Sequence, residues 1–362
     1  MDQTPVEILD TIFTLACTDG GFTGCSLSLA SRQIGEIARS SRFYSVSLDI
    51  FNAPDRVQAF TTCFLAERAR PVQWTPPRVR HLHLVSGEPF AKIQGNPKLD
   101  GDTRRTALGE QALALLDLIA PDLLTLTLVG TVFPPPALVS STLNFPHLQE
   151  LAIIGGKTRF APWISTCTGA PASTSVPTSA APAFPQLTHL RVTTDLDAQN
   201  LRTWAARAPK LAHVRFECID LNTHSWVGAH RAAQGSDDPE PKLPALRTLI
   251  MQRCPGAVPP ERTRRPGVPG SGWSMEQMFA VYDEELQKIA LGPCRVGIPA
   301  LSRNEDGSHK HPRGEVFRRW LDRLEGGPGC WGVKAEWFVD GLLGDNEEFS
   351  EHEGEEETAA FS

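Results

Sequence analysis

The sequence predicts an α/β chain with a helical head, a ladder of parallel strands built from repeated units, and a helical C-terminal region. Three observations predict it. A proline-led apolar triplet recurs six times between residues 77 and 251, helical periodicity fills intervals between copies, and amphipathic stripes occupy both ends. The expected boundaries are 1–50 for the head, 51–254 for the ladder, 255–272 for a Pro/Gly/Arg linker, 273–342 for the C-terminal helices, and 343–362 for an acidic tail expected to be disordered.

The head opens with "TPVEILDTIFTLA". Thr4 suits an N-cap, Pro5 the first helical turn, and Glu7 would close a capping box. Ile8, Leu9, Ile12 and Phe13 follow as a helical stripe. "SLSLASRQIGEIAR" then reads as a second amphipathic helix, with Leu27, Ala30, Ile34 and Ile37 on one face. "RFYSVSLDI", residues 42–50, alternates as a strand does.

The repeat is "PRVRHLHL", "PDLLTLTL", "PHLQELAI", "PQLTHLRV", "PKLAHVRF" and "PALRTLIM", beginning at prolines 77, 121, 146, 185, 209 and 244. Apolar residues stand two, five and seven positions after each proline. The last two of each triplet are two apart and therefore share one face of a strand. The first, three residues back, would turn the chain in under the same core. This pattern resembles the L-x-x-L-x-L element of leucine-rich repeats, which implies neighbouring strands stacked in parallel. The copies start 44, 25, 39, 24 and 35 residues apart, so the expected solenoid is irregular.

Between copies, 107–120 and 196–208 read as helices, the first through Leu113, Leu116 and Ile119, the second through Leu201, Trp204, Ala205 and Ala208. Residues 165–184 and 232–242 read as loops. "LAIIGGKT" superficially offers a phosphate-binding loop. Such a loop needs a glycine where Leu151 stands, and a helix where Pro162 soon follows, so a turn after a strand is expected.

In the C-terminal region, Ser274 and Gln277 form a capping box ahead of a stripe from Met275 to Ile289. "EVFRRWLDRLEGGPGCW" gives a shorter helix with Val316, Phe317, Trp320, Leu321 and Leu324 inward and arginines 313, 318, 319 and 323 on a solvated face.

Charge narrows the partners. The chain carries a formal charge of −7, but the residues after Gly344 hold eight carboxylates and no Lys or Arg, leaving the rest at +1. A near-neutral body has no general attraction for nucleic acid or a membrane. The N-terminus lacks the basic and apolar regions of a signal peptide. The eight scattered cysteines form no C-x-x-C pair and are expected as free thiols in the cytoplasm or nucleus.

In such a ladder, positions four, six and eight after each proline would line an open concave face. They place His81, His83, Glu150, His189, Arg191, His213, Arg215, Glu217 and Gln252 there as candidate residues for a protein substrate. If the fourth and fifth copies are neighbours, His189 lies beside His213 and Arg191 beside Arg215, about 4.8 Å apart. Paired arginines would suit a carboxylate or phosphate. A metal would need more ligands than the two histidines, with Glu217 the nearest, and no metal or cofactor is expected. No G-x-S-x-G elbow and no Cys–His pair in a cleft position occurs, so no enzyme is expected.

Residues Pro5, Glu7, Ile8, Leu9, Ile12 and Phe13, followed by "SLSLASRQIGEIARSSRFYSVSL", resemble the F-box, especially the divergent F-boxes of large fungal families. The likeness covers roughly 45 residues. It departs at Thr4, Ala30 and Ile34, where that family usually has Leu, Val or Cys, and an aromatic. It implies a helical module docking on the Skp-type adaptor of a cullin–RING ubiquitin ligase, through Pro5, Ile8, Leu9, Ile12, Phe13, Leu27 and Ile34. The repeats would then hold the substrate. The alternative is a repeat scaffold for protein interaction, with a degenerate head and no ligase role.

Overall fold

In the computed structural model, the described residues are 4–70, 76–86, 100–130, 143–154, 182–192, 204, 207–219, 245–253, 295–297, 313–328 and 331. Three helices open the chain: α1 (Val6–Ala16), α2 (Phe22–Ala30) and α3 (Arg32–Ile37). They are followed by β1 (Ser45–Asp49), α4 (Asp55–Ala69), β2 (His81–Val85) and α5 (Asp100–Ile119). Then come β3 (Thr125–Val129), β4 (Glu150–Ile154), β5 (His189–Val192), β6 (His213–Ile219), β7 (Thr248–Arg253), β8 (Arg295–Gly297) and α6 (Arg313–Leu324).

All eight strands form one parallel sheet in strict chain order, β1 to β8. The proline-led copies are β2 to β7, in the register that their equal positions require. Their triplets are the core: Leu123, Leu148, Leu187, Leu82, Leu151, Leu190 and Val214 are fully buried or within 1% of it. One backbone device repeats at each step. The carbonyls of Tyr44, Arg80, Leu124, Gln149, Thr188 and Ala212 each accept two N–H groups, from the residue before and the first residue of the next strand. Ring stacking adds a second spine, with Phe145 on Phe184 at 5.4 Å and Phe184 near Trp204 at 5.6 Å.

The first strand carries the same triplet, Phe43, Val46 and Leu48, all buried, with Ser41 in the proline's place. β1 thus pairs with β2, Ser45 opposite His81, and belongs to the sheet although it lies before residue 50. β8 extends the ladder at its other end, so the C-terminal region contributes a strand where helices alone were expected.

Helix α5 carries the expected 107–120 helix and starts earlier, burying Leu108, Ala112, Leu115, Leu116 and Ile119 against the strands. Of the helix expected over 196–208, Trp204 and Arg207 are helical and buried, and Ala208, just past the helix, is buried too. The stripe from Met275 to Ile289, the loops 165–181 and 232–242, Gly155 to Thr158 and the acidic tail lie outside the described residues. Helix α4 was not expected. It sends Val57 and Phe64 inward and also buries Glu67.

Glu67 joins head to ladder. Its carboxylate meets Arg39 at 2.9 Å, Arg42 at 2.8 Å and Arg70 at 3.4 Å, and its carbonyl accepts from Arg39 Nη2 at 2.6 Å. Burial acts to raise the Glu67 pKa, but the Arg42 hydrogen bond and charge, with Arg70 and Arg39, outweigh it and hold the carboxyl below its ordinary value.

Two local expectations are corrected. Helix α1 starts at Val6 with Pro5 as N-cap and no side-chain cap, so Thr4 and Glu7 form no capping box. The segment expected as one helix breaks at Ser31, which is extended and whose Oγ accepts from Ile34 N at 3.1 Å, capping α3.

Candidate docking surfaces

The head presents one surface. Helix α1 carries two adjacent apolar stripes, and a helix lying on one core can bury only one of them. Leu9, Phe13 and Cys17 turn inward, and Leu27, Ile34 and Ile37 pack against the cluster formed by Leu9, Phe13 and Ala38. Leu9 and Phe13 are therefore head core rather than docking surface, because the short helices have little else to fold around, while Leu27 and Ile34 are partly buried beside them. Pro5 is exposed at the helix start, and Ile8 and Ile12 are 52% and 50% exposed. Leu15 (71%) on α1 and Phe22 (72%) and Leu29 (85%) on α2, which the sequence reading passed over, are exposed as well. The i, i+4, i+7 spacing of Ile8, Ile12 and Leu15 could have identified Leu15.

Tight turns hold this patch in place. Gly20 and Gly21 adopt positive φ between α1 and α2, a conformation glycine takes without strain. Asp19 accepts from Thr23 N at 2.8 Å and from Thr23 Oγ1 at 2.6 Å, starting α2. Gly24 seats α2 against the turn that leads into β1, since a Cβ there would overlap the Arg42 carbonyl. Ser45 ties the head to β1, donating to the Cys17 carbonyl at 2.7 Å and accepting from Gly20 N at 3.0 Å.

The second surface is the ladder face opposite the helices α4 and α5. The register places His189 against His213 and Arg191 against Arg215, as the sequence spacing requires. The histidine rings stack with centroids 4.5 Å apart. The face is not open, however. Helix α6 lies on it, packing Val316 into a cluster with Val85, Val129, Ala152 and Ile154. Phe317 and Trp320 stand over His83, with ring centroids at 5.2 and 5.4 Å.

Glu150 receives Arg323 Nε and Trp331 Nε1, each at 2.9 Å, and Trp331 meets the His189 ring edge-on at 5.0 Å. Arg323 is thus an ion-pair partner of the sheet, where a solvated face was expected.

Two rows of the ladder differ accordingly. His83, Thr127, Ala152, Arg191, Arg215 and Ile250 are all buried, so His83, Arg191 and Arg215 are not an accessible gripping surface. The row nearer the strand starts, with His81, Glu150, His189 and His213, stays half-buried. Glu217 and Gln252 lie on β6 and β7, and their side chains are outside the described residues.

Burial holds these imidazoles neutral. It pushes His81 and His83 down to about 4, with Arg80 adding to the effect at His81 and Asp49 opposing it at His83. His189 also falls to about 4, through burial and then the charges of His213 and Arg323. His213 is lowered by burial, Arg247 and Arg323.

Among the described residues, no group of three or more His, Cys, Asp or Glu could hold a metal, and no helix is long and apolar enough to cross a membrane. Of the described cysteines, Cys17, Cys25 and Cys63 are free thiols. Burial, then Asp19, pushes the Cys17 thiol up to about 11, so it is a packing group rather than a nucleophile. No protein-family model, curated protein or solved structure matches the chain.

Proposed function

We propose that the chain is a substrate-recognition adaptor of a Skp–cullin–F-box-type ubiquitin ligase. In this reading residues 4–44 act as an F-box-like head on an irregular leucine-rich-like solenoid. The observation that carries it is the outward apolar stripe Ile8, Ile12 and Leu15 on α1. An apolar helix face of this kind suits a helical partner laid along it. The resemblance of the N-terminal sequence to the F-box makes a Skp-type adaptor that partner. A protein substrate would meet the half-buried rim at His81 and His213, since helix α6 covers the row beyond it and Arg323 and Trp331 cover Glu150 and His189.

One observation favours the second reading, a scaffold without a ligase role. The head is fastened to the ladder through Glu67 and Ser45, as a capping module of a solenoid would be. Reconstitution separates the two. The full chain is incubated with a Skp-type adaptor, a cullin–RING core and charged ubiquitin-conjugating enzyme. The adaptor reading expects assembly into the ligase and ubiquitin transfer to the chain or to a co-purifying protein, both lost in Ile8→Asp/Ile12→Asp. Failure of the wild-type chain to assemble supports the scaffold.

A further inference from the structure

A cavity of about 590 Å³ opens where the head meets the first edge of the ladder. β1 ends the sheet, so space remains around its outer edge. Both faces of that strand line the cavity, Val46 and Leu48 from one and Ser47 and Asp49 from the other. The size falls within the range of about 300–1,000 Å³ common for small-molecule sites. Phe22, Phe43, Phe60 and Phe317, each from a different element or its flank, give it apolar walls. Rings from four separate parts of the chain thus border one open-sided hollow.

Its polar groups divide into engaged and unengaged. Arg42 is paired with Glu67. The Asp49 carboxylate accepts from Phe51 N, Asn52 N and Asn52 Nδ2 in the turn after β1. Arg56, exposed at the rim on α4, makes no ion pair and no side-chain hydrogen bond among the described residues. His83 has Nδ1 at 3.1 Å from Ser47 Oγ, while its buried Nε2 has no hydrogen-bond partner. That atom is closed to a water-sized group, so Arg56 is the charged group left to meet a ligand.

We propose that this cavity binds an apolar monocarboxylate, with its hydrocarbon among the phenylalanines and its carboxylate on Arg56 at the rim. Arg56 supplies the planar, permanently charged fork suited to a carboxylate. A neutral imidazole does not compete for that charge. The site would join head, ladder and α6 around one ligand, and of the exposed apolar residues of the head it uses Phe22 but none of the α1 stripe.

The test is calorimetric titration of the full chain with decanoate and with decanol, its uncharged counterpart. The structure requires saturable one-site decanoate binding that raises the melting temperature, with decanol at least about tenfold weaker. Arg56→Ala should remove most of that preference. Cys25→Trp, a substitution at an exposed helical residue that lines the cavity, should abolish binding of both probes. Ile8→Asp/Ile12→Asp should leave decanoate binding unchanged, separating the cavity from the exposed stripe. Absence of saturable binding, equal affinity for decanol, or binding that survives Cys25→Trp would each overturn the assignment.

Discussion

Glu150 and Arg323 meet at 2.9 Å although 173 residues separate them. The pair, with Trp331 on the other carboxylate oxygen, fastens α6 to the middle of the sheet. Glu150 is mostly buried whereas Arg323 is about one-third exposed, so solvent weakens the ion pair itself. Glu150→Ala is expected to cost about 1–2 kcal/mol, mainly through the two lost charge-assisted hydrogen bonds. Hydrogen exchange should show faster opening of residues 313–324 while β3 and β4 stay protected. Unchanged exchange in α6 would deny the pair this role.

The two stripes of α1 give a sharper contrast. Leu9→Ala and Phe13→Ala should each lose about 2–5 kcal/mol in denaturant unfolding, because both side chains fill the small head core. Ile8→Ala and Ile12→Ala should stay within about 0.5 kcal/mol. Equal losses at all four positions would place the stripes wrongly.

Breaking the Glu67 cluster should be costly. Its carboxylate is nearly inaccessible and answers three arginines, so Glu67→Gln leaves buried cations without their counter-charge. A loss of about 3 kcal/mol is expected, against less than about 1 kcal/mol for Arg70→Ala, whose side chain is 55% exposed. Urea midpoints of the two variants decide it.

Acid should weaken the fold in a defined window. His81 and His83 fall from 6.5 to about 4 in the folded chain, so the unfolded chain binds protons first. Their neutral-state contribution is therefore complete above about pH 6.5 and lost progressively as pH falls toward 4. Glu67, with its carboxyl lowered from 4.5, adds a loss of the same sign at more acidic pH. Unfolding midpoints measured from pH 7.5 to 4 should decline from about 6.5 downward, with a smaller slope in His83→Gln. A flat profile between pH 6.5 and 5 would contradict the burial of both rings.

Much of the ladder was legible because strand alternation and equal spacing are local properties. Once Leu190 and Val214 occupy equivalent positions, parallel pairing places His189 beside His213 without further information. The seventh triplet, Phe43, Val46 and Leu48, escaped because the pattern was anchored on proline, and Ser41 stands there instead. Helix α4 escaped because its buried face includes Glu67, which reads as polar until its arginines are known. The cover over the concave face was the largest omission. Nothing in "EVFRRWLDRL" says which distant surface receives it, and Arg323 reads as solvated until Glu150 appears beside it.

The proposed role rests on the outward stripe of α1, so the most direct measurement is the binding isotherm of the full chain with a purified Skp-type adaptor. A 1:1 complex is expected for the wild type. Ile8→Asp/Ile12→Asp should lose at least about tenfold in affinity, a cost of about 1.4 kcal/mol, while keeping its circular dichroism and melting temperature. No complex with the wild type, or equal binding by the folded double variant, would contradict the account.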